Sequence, residues 1–304
     1  MTSPCKKKTA DLVIPMVTPL TKAGSLDDSA VERLVLHLAG AGADGLLLLG
    51  TTGEGPSVDA ETRLRLIARA RSVAPCHLRL YATALGNCLE AAAAEGQAVL
   101  ELGAEAAVIQ LPNYYPLGAE EQSDWLSKLV NCIAGPVLLY NIPASVHSSI
   151  ALEVVKRLSE HEYVLGIKDS EYDSTRQKAL IELFRNRGDF RVFTGAGPYM
   201  LDALMAGADG IVPGFGNIVP GLYRRLVDSA CAGNDGVARL TWQSIELVTS
   251  LFGHDGMRVS PIVGQKALLS REGLCGPTVA PPLIRAQANS LSQLYSAMDG
   301  LQVA

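Results

Sequence analysis

Gly42-Ala-Asp-Gly-Leu-Leu47 returns, with small changes, as Gly103-Ala-Glu-Ala-Ala-Val108 and again as Gly207-Ala-Asp-Gly-Ile-Val212. In each copy a glycine stands just ahead of a short apolar run. Glycine is the residue that most readily ends a helix, and a brief apolar run between polar neighbours reads as a strand buried on both faces. The echo is therefore a helix-to-strand junction met three times.

Working outward, apolar runs occupy residues 12–17, 46–49, 78–82, 106–110, 137–140, 164–167, 191–193 and 210–212, which gives eight candidate strands. Amphipathic stretches lie between most of them. The clearest follows Ser25-Leu-Asp-Asp28, a start like a capping box, with Val31, Leu34, Val35 and Leu38 on one face and Gly40-Ala-Gly42 as the stop. Strand and helix alternate every roughly 20–35 residues, the pattern of a parallel sheet. Eight units favour an α/β fold of the closed (β/α)8 TIM barrel type over a doubly wound sheet. The latter carries a Gly-x-Gly-x-x-Gly turn after its first strand, where this chain has none. Beyond Pro220 only helical patterns remain, at 222–232, 237–251, 261–269 and 283–295. The expected organisation is a barrel over residues 1–220 and a C-terminal helical appendage, 221–304, packed on it.

The 304 residues are 48% hydrophobic and 19% charged with a formal net charge of −5, so no basic surface recommends nucleic acid or an anionic membrane. A small molecule is the expected partner. Cys5, Cys76, Cys88, Cys132, Cys231 and Cys275 form no Cys-x-x-Cys pair, and the five histidines form no ligand cluster, which argues against a zinc site or a disulfide framework. The N-terminal Met-Thr-Ser-Pro-Cys-Lys-Lys-Lys leads into no signal-peptide core, and no run approaches the ~20 apolar residues of a membrane span. A cytoplasmic, reduced protein is expected.

Three of the eight runs end on chemistry. Val164-Leu-Gly-Ile-Lys-Asp-Ser170 ends on Lys168, at the carboxyl end of a buried strand. Burial disfavours an ammonium ion, and a neutral amine can attack a carbonyl carbon to form a Schiff base. The plain alternative is a solvated lysine at a strand end. Gly135-Pro-Val-Leu-Leu-Tyr-Asn-Ile-Pro143 ends on Tyr140, and Gly45-Leu-Leu-Leu-Leu-Gly-Thr-Thr-Gly-Glu54 ends in a turn rich in hydroxyls and glycine. That turn has no P-loop lysine, so it fits a small carboxylate better than a phosphate: backbone N–H groups around Gly50 and the hydroxyls of Thr51 and Thr52 can all donate. In a barrel the carboxyl ends of the strands converge, so these residues would meet Gly195 and Val212 at one site.

Gly50-Thr-Thr-Gly-Glu54, Tyr140-Asn-Ile-Pro143 and Gly166-Ile-Lys-Asp169 resemble the signatures of the dihydrodipicolinate synthase/N-acetylneuraminate lyase family, and the resemblance runs from Pro15-Met-Val-Thr-Pro19 to Pro281-Pro-Leu283. It implies a class I, metal- and cofactor-independent lyase that holds pyruvate, or a 2-oxo acid that releases it, as a Schiff base on Lys168. Tyr140 would then move the proton. Thr51 would link it to Tyr114, a tyrosine donated by a neighbouring subunit, which requires a homo-oligomer, with a tetramer expected. Gly195 and the Val212 backbone would floor the site.

The departures from that pattern bear on substrate. Dihydrodipicolinate synthases carry an arginine where this chain has Ser145, and a hydroxyl cannot replace a bidentate guanidinium on a carboxylate. Sialic acid lyases place acidic and hydroxyl residues where this chain reads Gly195-Ala-Gly-Pro198 and Val212-Pro-Gly-Phe215. The expected activity is an aldolase joining or parting pyruvate and an aldehyde, of the 2-keto-3-deoxy sugar acid or 4-hydroxy-2-oxoglutarate type. The alternatives are 4-hydroxy-tetrahydrodipicolinate synthase, a hydro-lyase using the same imine, and a 2-oxo acid-binding paralogue without turnover.

Overall fold

Eight strands, β1 (Asp11–Pro15), β2 (Gly45–Leu48), β3 (Arg79–Ala84), β4 (Ala106–Gln110), β5 (Val137–Asn141), β6 (Val164–Asp169), β7 (Arg191–Thr194) and β8 (Gly210–Ile211), pair in parallel and in chain order. Asp11↔Gly210 and Leu12↔Ile211 bring β8 back to β1 and close the barrel. The computed structural model describes residues 9–252 and 259–301, so the Lys-rich start of the chain and Cys5 lie outside the described residues. Each strand falls on one of the eight apolar runs, because a barrel strand is covered by side chains inside and by helices outside and leaves no polar face to alternate. Residues of β2, β4 and β5 are accordingly almost all buried.

The outer helices are α1 (Asp28–Gly40), α2 (Ala60–Val73), α3 (Leu89–Glu101), α4 (Ala119–Ile133), the short α5 (Pro143–Val146) and α6 (Leu152–Leu158), α7 (Ser174–Phe184), α8 (Met200–Ala206) and α9 (Pro220–Cys231). In α1 the stripe Val31, Leu34, Val35 and Leu38 is fully buried, each side chain stabilising the fold by about 1.5–3 kcal/mol. The cap, however, is Asp27 and not Ser25: the Asp27 carboxylate accepts from the N–H of Ala30, while the segment before it is held by a bridge between Leu20 and Leu26. A carboxylate also complements the positive end of the helix dipole, as a serine does not. Gly42, at φ +88°, supplies the left-handed stop, and a Cβ there would strike the Arg224 stem.

Helix α9 is tied to the β1–β2 side of the barrel, where Arg224 Nη1 donates to Asp44 (2.9 Å) and Asp44 accepts from the N–H of Leu12 (2.7 Å). The chain continues through α10 (Asp235–Ser250), α11 (Pro261–Arg271) and α12 (Ala288–Gly300). The last helix begins at Ala288, five residues later than the pattern over 283–295 suggests. Residues 281–287 form an irregular strap instead, and its Leu283 lies over a cavity at the barrel rim. Among the described residues no helix is long and apolar enough to cross a membrane.

Candidate active site

Tyr140 and Lys168 are register partners on β5 and β6, and Asn141 and Asp169 are the next pair along. Successive side chains of a strand point to opposite sides. Tyr140 and Lys168 therefore both face the barrel interior at its carboxyl end, while Asn141 and Asp169 turn outward toward the helices. Lys168 is 5% exposed, and its Nζ lies 3.8 Å from the centroid of the Tyr140 ring. The phenol oxygen lies 3.4 Å from Thr51 Oγ1, a long hydrogen bond of the kind that tightens when substrate binds.

Burial works to raise the Tyr140 phenol, but the Lys168 ammonium overcomes it, helped by hydrogen bonds from Lys168, Thr51 and Ser170, and holds the phenol below its ordinary value. A tyrosine so placed gives up its proton more readily than one in water.

An open cavity of about 380 Å³ lies over this pair, lined among others by Thr51, Thr52, Ser145, Gly195 and Val212. Gly195 is there because nothing larger fits: a Cβ at this position would overlap Ser170 Oγ and come within 2.9 Å of Lys168 Cε. The Val212 N–H donates to the carbonyl of Thr194 (2.8 Å), which fixes the end of β8 against β7. A second cavity, of about 240 Å³, opens beside the first on the far side of Tyr140, where Gly50, Thr51, Gln110, Asn113 and Ser145 meet Pro282 and Leu283. The expected site residues Lys168, Tyr140, Thr51, Thr52, Gly50, Gly195, Val212 and Ser145 thus all line this pair of cavities.

Tyr114 does not. It is 76% exposed and packs edge-to-face on Tyr115 (4.9 Å between ring centroids), beside a separate surface hollow it shares with Leu89 and Trp125.

Two features escape the sequence pattern. Ser170 lies two residues past Lys168, on the same side of the chain, and reaches the Tyr140 phenol; the period of two could have located it. The other is the support behind the row of Tyr140 and Lys168. Asn141 Nδ2 donates to Asp169 (2.9 Å) and to Glu171 (3.0 Å), Arg176 Nε donates to Asp169 (2.9 Å) and pairs with Glu171 (3.2 Å), and Ser149 Oγ donates to Glu171. Burial pushes the Asp169 carboxyl above its usual range, against the pull of Arg176. This network clamps the ends of β5 and β6 together directly behind Tyr140 and Lys168.

Comparison with known proteins agrees with this geometry. Residues 8–300 match the model of the dihydrodipicolinate synthetase family. The chain is 30% identical over 273 residues to an uncharacterized DapA-like lyase of Pyrococcus horikoshii, covering 89% of this chain and 93% of that protein. It is also 30% identical over 291 residues to 4-hydroxy-tetrahydrodipicolinate synthase 1 of Streptomyces coelicolor, covering 94% and 92% of the two chains. A crystal structure of a dihydrodipicolinate synthase from Bacillus anthracis superposes with a TM-score of 0.88 at 26% identity, over 97% of this chain and 99% of the other. The chain belongs to the dihydrodipicolinate synthetase family. That membership makes it a carbon–carbon lyase.

Proposed function

We propose that the protein is a class I aldolase in which Lys168 holds pyruvate as a Schiff base. The observation that carries this reading is the buried Lys168 amine, 3.8 Å from the Tyr140 ring and open to a cavity with Thr51, Thr52 and Gly195 on its walls. The Lys168 nitrogen attacks C2 of pyruvate, the carbonyl oxygen leaves as water, and the iminium that forms acts as an electron sink. The departing oxygen takes a C3 proton to complete that water and leave an enamine, whose C3 bonds to the aldehyde carbon as the aldehyde oxygen takes the proton of the Tyr140 phenol, which the hydrolysing water later restores. Water then releases the product and frees the lysine. The Gly50–Thr52 turn holds the pyruvate carboxylate, and Gly195 and Val212 leave room for its methyl end.

The aldehyde is one that needs no guanidinium. Among the described residues lining the larger cavity, Lys168 is the single cation, and the arginine position of the lysine-pathway synthases is Ser145, beside Ala144 and Tyr172. This favours an uncharged hydroxyaldehyde, such as a 2-keto-3-deoxy sugar acid releases on losing pyruvate, over aspartate semialdehyde, which carries a carboxylate. Tyr114 reaches the smaller cavity from a second copy of the chain, so the working unit is at least a dimer.

Borohydride reduction in the presence of pyruvate, followed by peptide mapping, tests the imine. A pyruvate-derived adduct on Lys168 is expected, and a folded protein without one would overturn the reading. An aldehyde screen on the same preparation then separates aldol products from the dehydrated product of a hydro-lyase.

A further inference from the structure

A lysine with no exposed surface is the most unusual charged group in the molecule. Lys266, on α11, is 0% exposed. Its ammonium donates to the carbonyl of Thr278 (2.7 Å) and pairs with Oε1 of Glu54, itself only 3% exposed. The other oxygen, Glu54 Oε2, accepts from the N–H of Ala280 (2.7 Å). Burial pulls the Lys266 ammonium below its ordinary value, against Glu54, which works to hold it up. A buried pair is often no more stabilising than an apolar substitute of the same size, so its use here invites a reason other than stability.

Glu54 closes the turn that carries Thr51 and Thr52. Its own backbone is left-handed, at φ +56°, a conformation that a side-chain-bearing residue keeps only where its surroundings enforce it. Its N–H donates to the carbonyl of Thr51 (3.1 Å), and the next N–H, of Gly55, donates to the carbonyl of Gly50 (3.2 Å). A Cβ on Gly55 would overlap the carbonyl of Leu49, so the turn is wound as tightly as backbone allows. The groups that fix the Glu54 side chain come from α11 and from Ala280, more than two hundred residues away, and the strap that begins right after Ala280 brings Pro282 and Leu283 to the cavity beside Thr51 and Tyr140.

We infer that Glu54 and Lys266 are positioning residues: the buried pair fastens the Thr51–Thr52 turn to the C-terminal helical segment and sets the distance from Thr51 to Tyr140. Lys266 lines neither cavity, and Glu54 borders only the smaller one, away from the larger cavity over Lys168. They act through the turn, and the helices beyond the barrel become part of the active-site apparatus. The inference rests on the reading of that turn as the pyruvate carboxylate site.

The test is the double variant Glu54→Gln/Lys266→Met, which removes both charges together. Three quantities are read on the purified full-length enzyme: the borohydride-trapped adduct on Lys168, KM for pyruvate against kcat, and the pH profile of turnover. The expected result is a folded protein that still forms the adduct at saturating pyruvate, with KM for pyruvate raised about tenfold or more, as small misplacements at a binding site produce. The alkaline limb of the profile should move up as Tyr140 loses its Thr51 partner. A folded double variant with wild-type KM and an unchanged profile would overturn the inference. If the double variant does not fold, Ala280→Pro removes the N–H that Glu54 accepts, while fixing φ at that residue, and leaves both charges; the same KM increase is expected, and its absence in folded protein counts against the pair. Failure of the wild-type enzyme to form any adduct is a different result, since it removes the pyruvate reading itself.

Discussion

Lys168 and Tyr140 stand directly across from each other on adjacent strands, and the amine lies 3.8 Å from the centre of the ring. The contact is close enough for the ammonium to act on the phenol and for both to touch one substrate carbon framework. Lys168→Ala should abolish turnover and the trapped adduct together. Tyr140→Phe should keep the adduct while turnover falls by about 10²–10⁴-fold, the usual worth of a general acid–base group. Equal loss of adduct and turnover in Tyr140→Phe would remove Tyr140 from the proton-transfer role.

The Tyr140 phenol lies below its ordinary value because the Lys168 charge and three hydrogen bonds outweigh burial. A tyrosine that must be protonated to donate loses activity as pH rises through its own titration. The alkaline limb of kcat/KM should therefore lie below pH 10. Thr51→Val and Ser170→Ala each delete a hydrogen bond that favours the anion, so each should move that limb to higher pH. A limb that stays put in both variants would assign it to another group.

Gly195→Ala adds one methyl against Ser170 Oγ and Lys168 Cε. Overpacking of this kind costs roughly 1–3 kcal/mol, and here the yielding atoms belong to the nucleophile. The melting temperature should fall modestly and the rate of adduct formation steeply. Stopped borohydride trapping at a series of times measures the second effect separately from the first.

Arg176 pairs with both Asp169 and Glu171, and its side chain is 9% exposed. Arg176→Met leaves the buried Asp169 facing a partly exposed Glu171 with no cation between them and should cost up to about 3–5 kcal/mol, the penalty for stranding a buried charge. Asp169→Asn in the same chain should recover part of it, which a double-mutant cycle by denaturant unfolding can show.

Because Tyr114 lines no cavity with Tyr140 in its own chain, Tyr114→Phe and Tyr140→Phe damage different parts of a shared site if the tyrosine is donated across an interface. Mixed oligomers of the two variants should then regain turnover above either parent. Mixtures that stay at parental levels would take Tyr114 out of the relay.

The sequence made most of the barrel legible because a parallel barrel writes itself as apolar runs at regular intervals. Every strand of the structure overlaps one of those runs, and the three polar ends singled out, at Gly50–Thr52, Tyr140 and Lys168, fall at the carboxyl rim. Legibility failed where contacts are long-range or the chain is irregular. Glu54 and Lys266 are joined across more than two hundred residues, and no local pattern announces them. The apolar pair Leu283 and Ile284 looks like the opening of a helix, yet it belongs to a strap, and α12 waits until Ala288. Asp27 in place of Ser25 as a cap is a smaller miss of the same sort, because the Leu20–Leu26 bridge delays the helix.

The alternation along β5 and β6 has a consequence for how such an enzyme can diversify. Tyr140 and Lys168 face the chemistry while Asn141 and Asp169, one step on, face the clamp that holds the strands. An insertion or deletion of one residue in either strand would exchange the two rows and destroy both. Innovation is thereby confined to the short segments just past the strands, around Ala144–Ser145 and at Tyr172, which border the cavity without belonging to either row. New acceptors can be tried there by single substitutions, generation after generation, on the proposed imine-forming centre, which does not have to be reinvented.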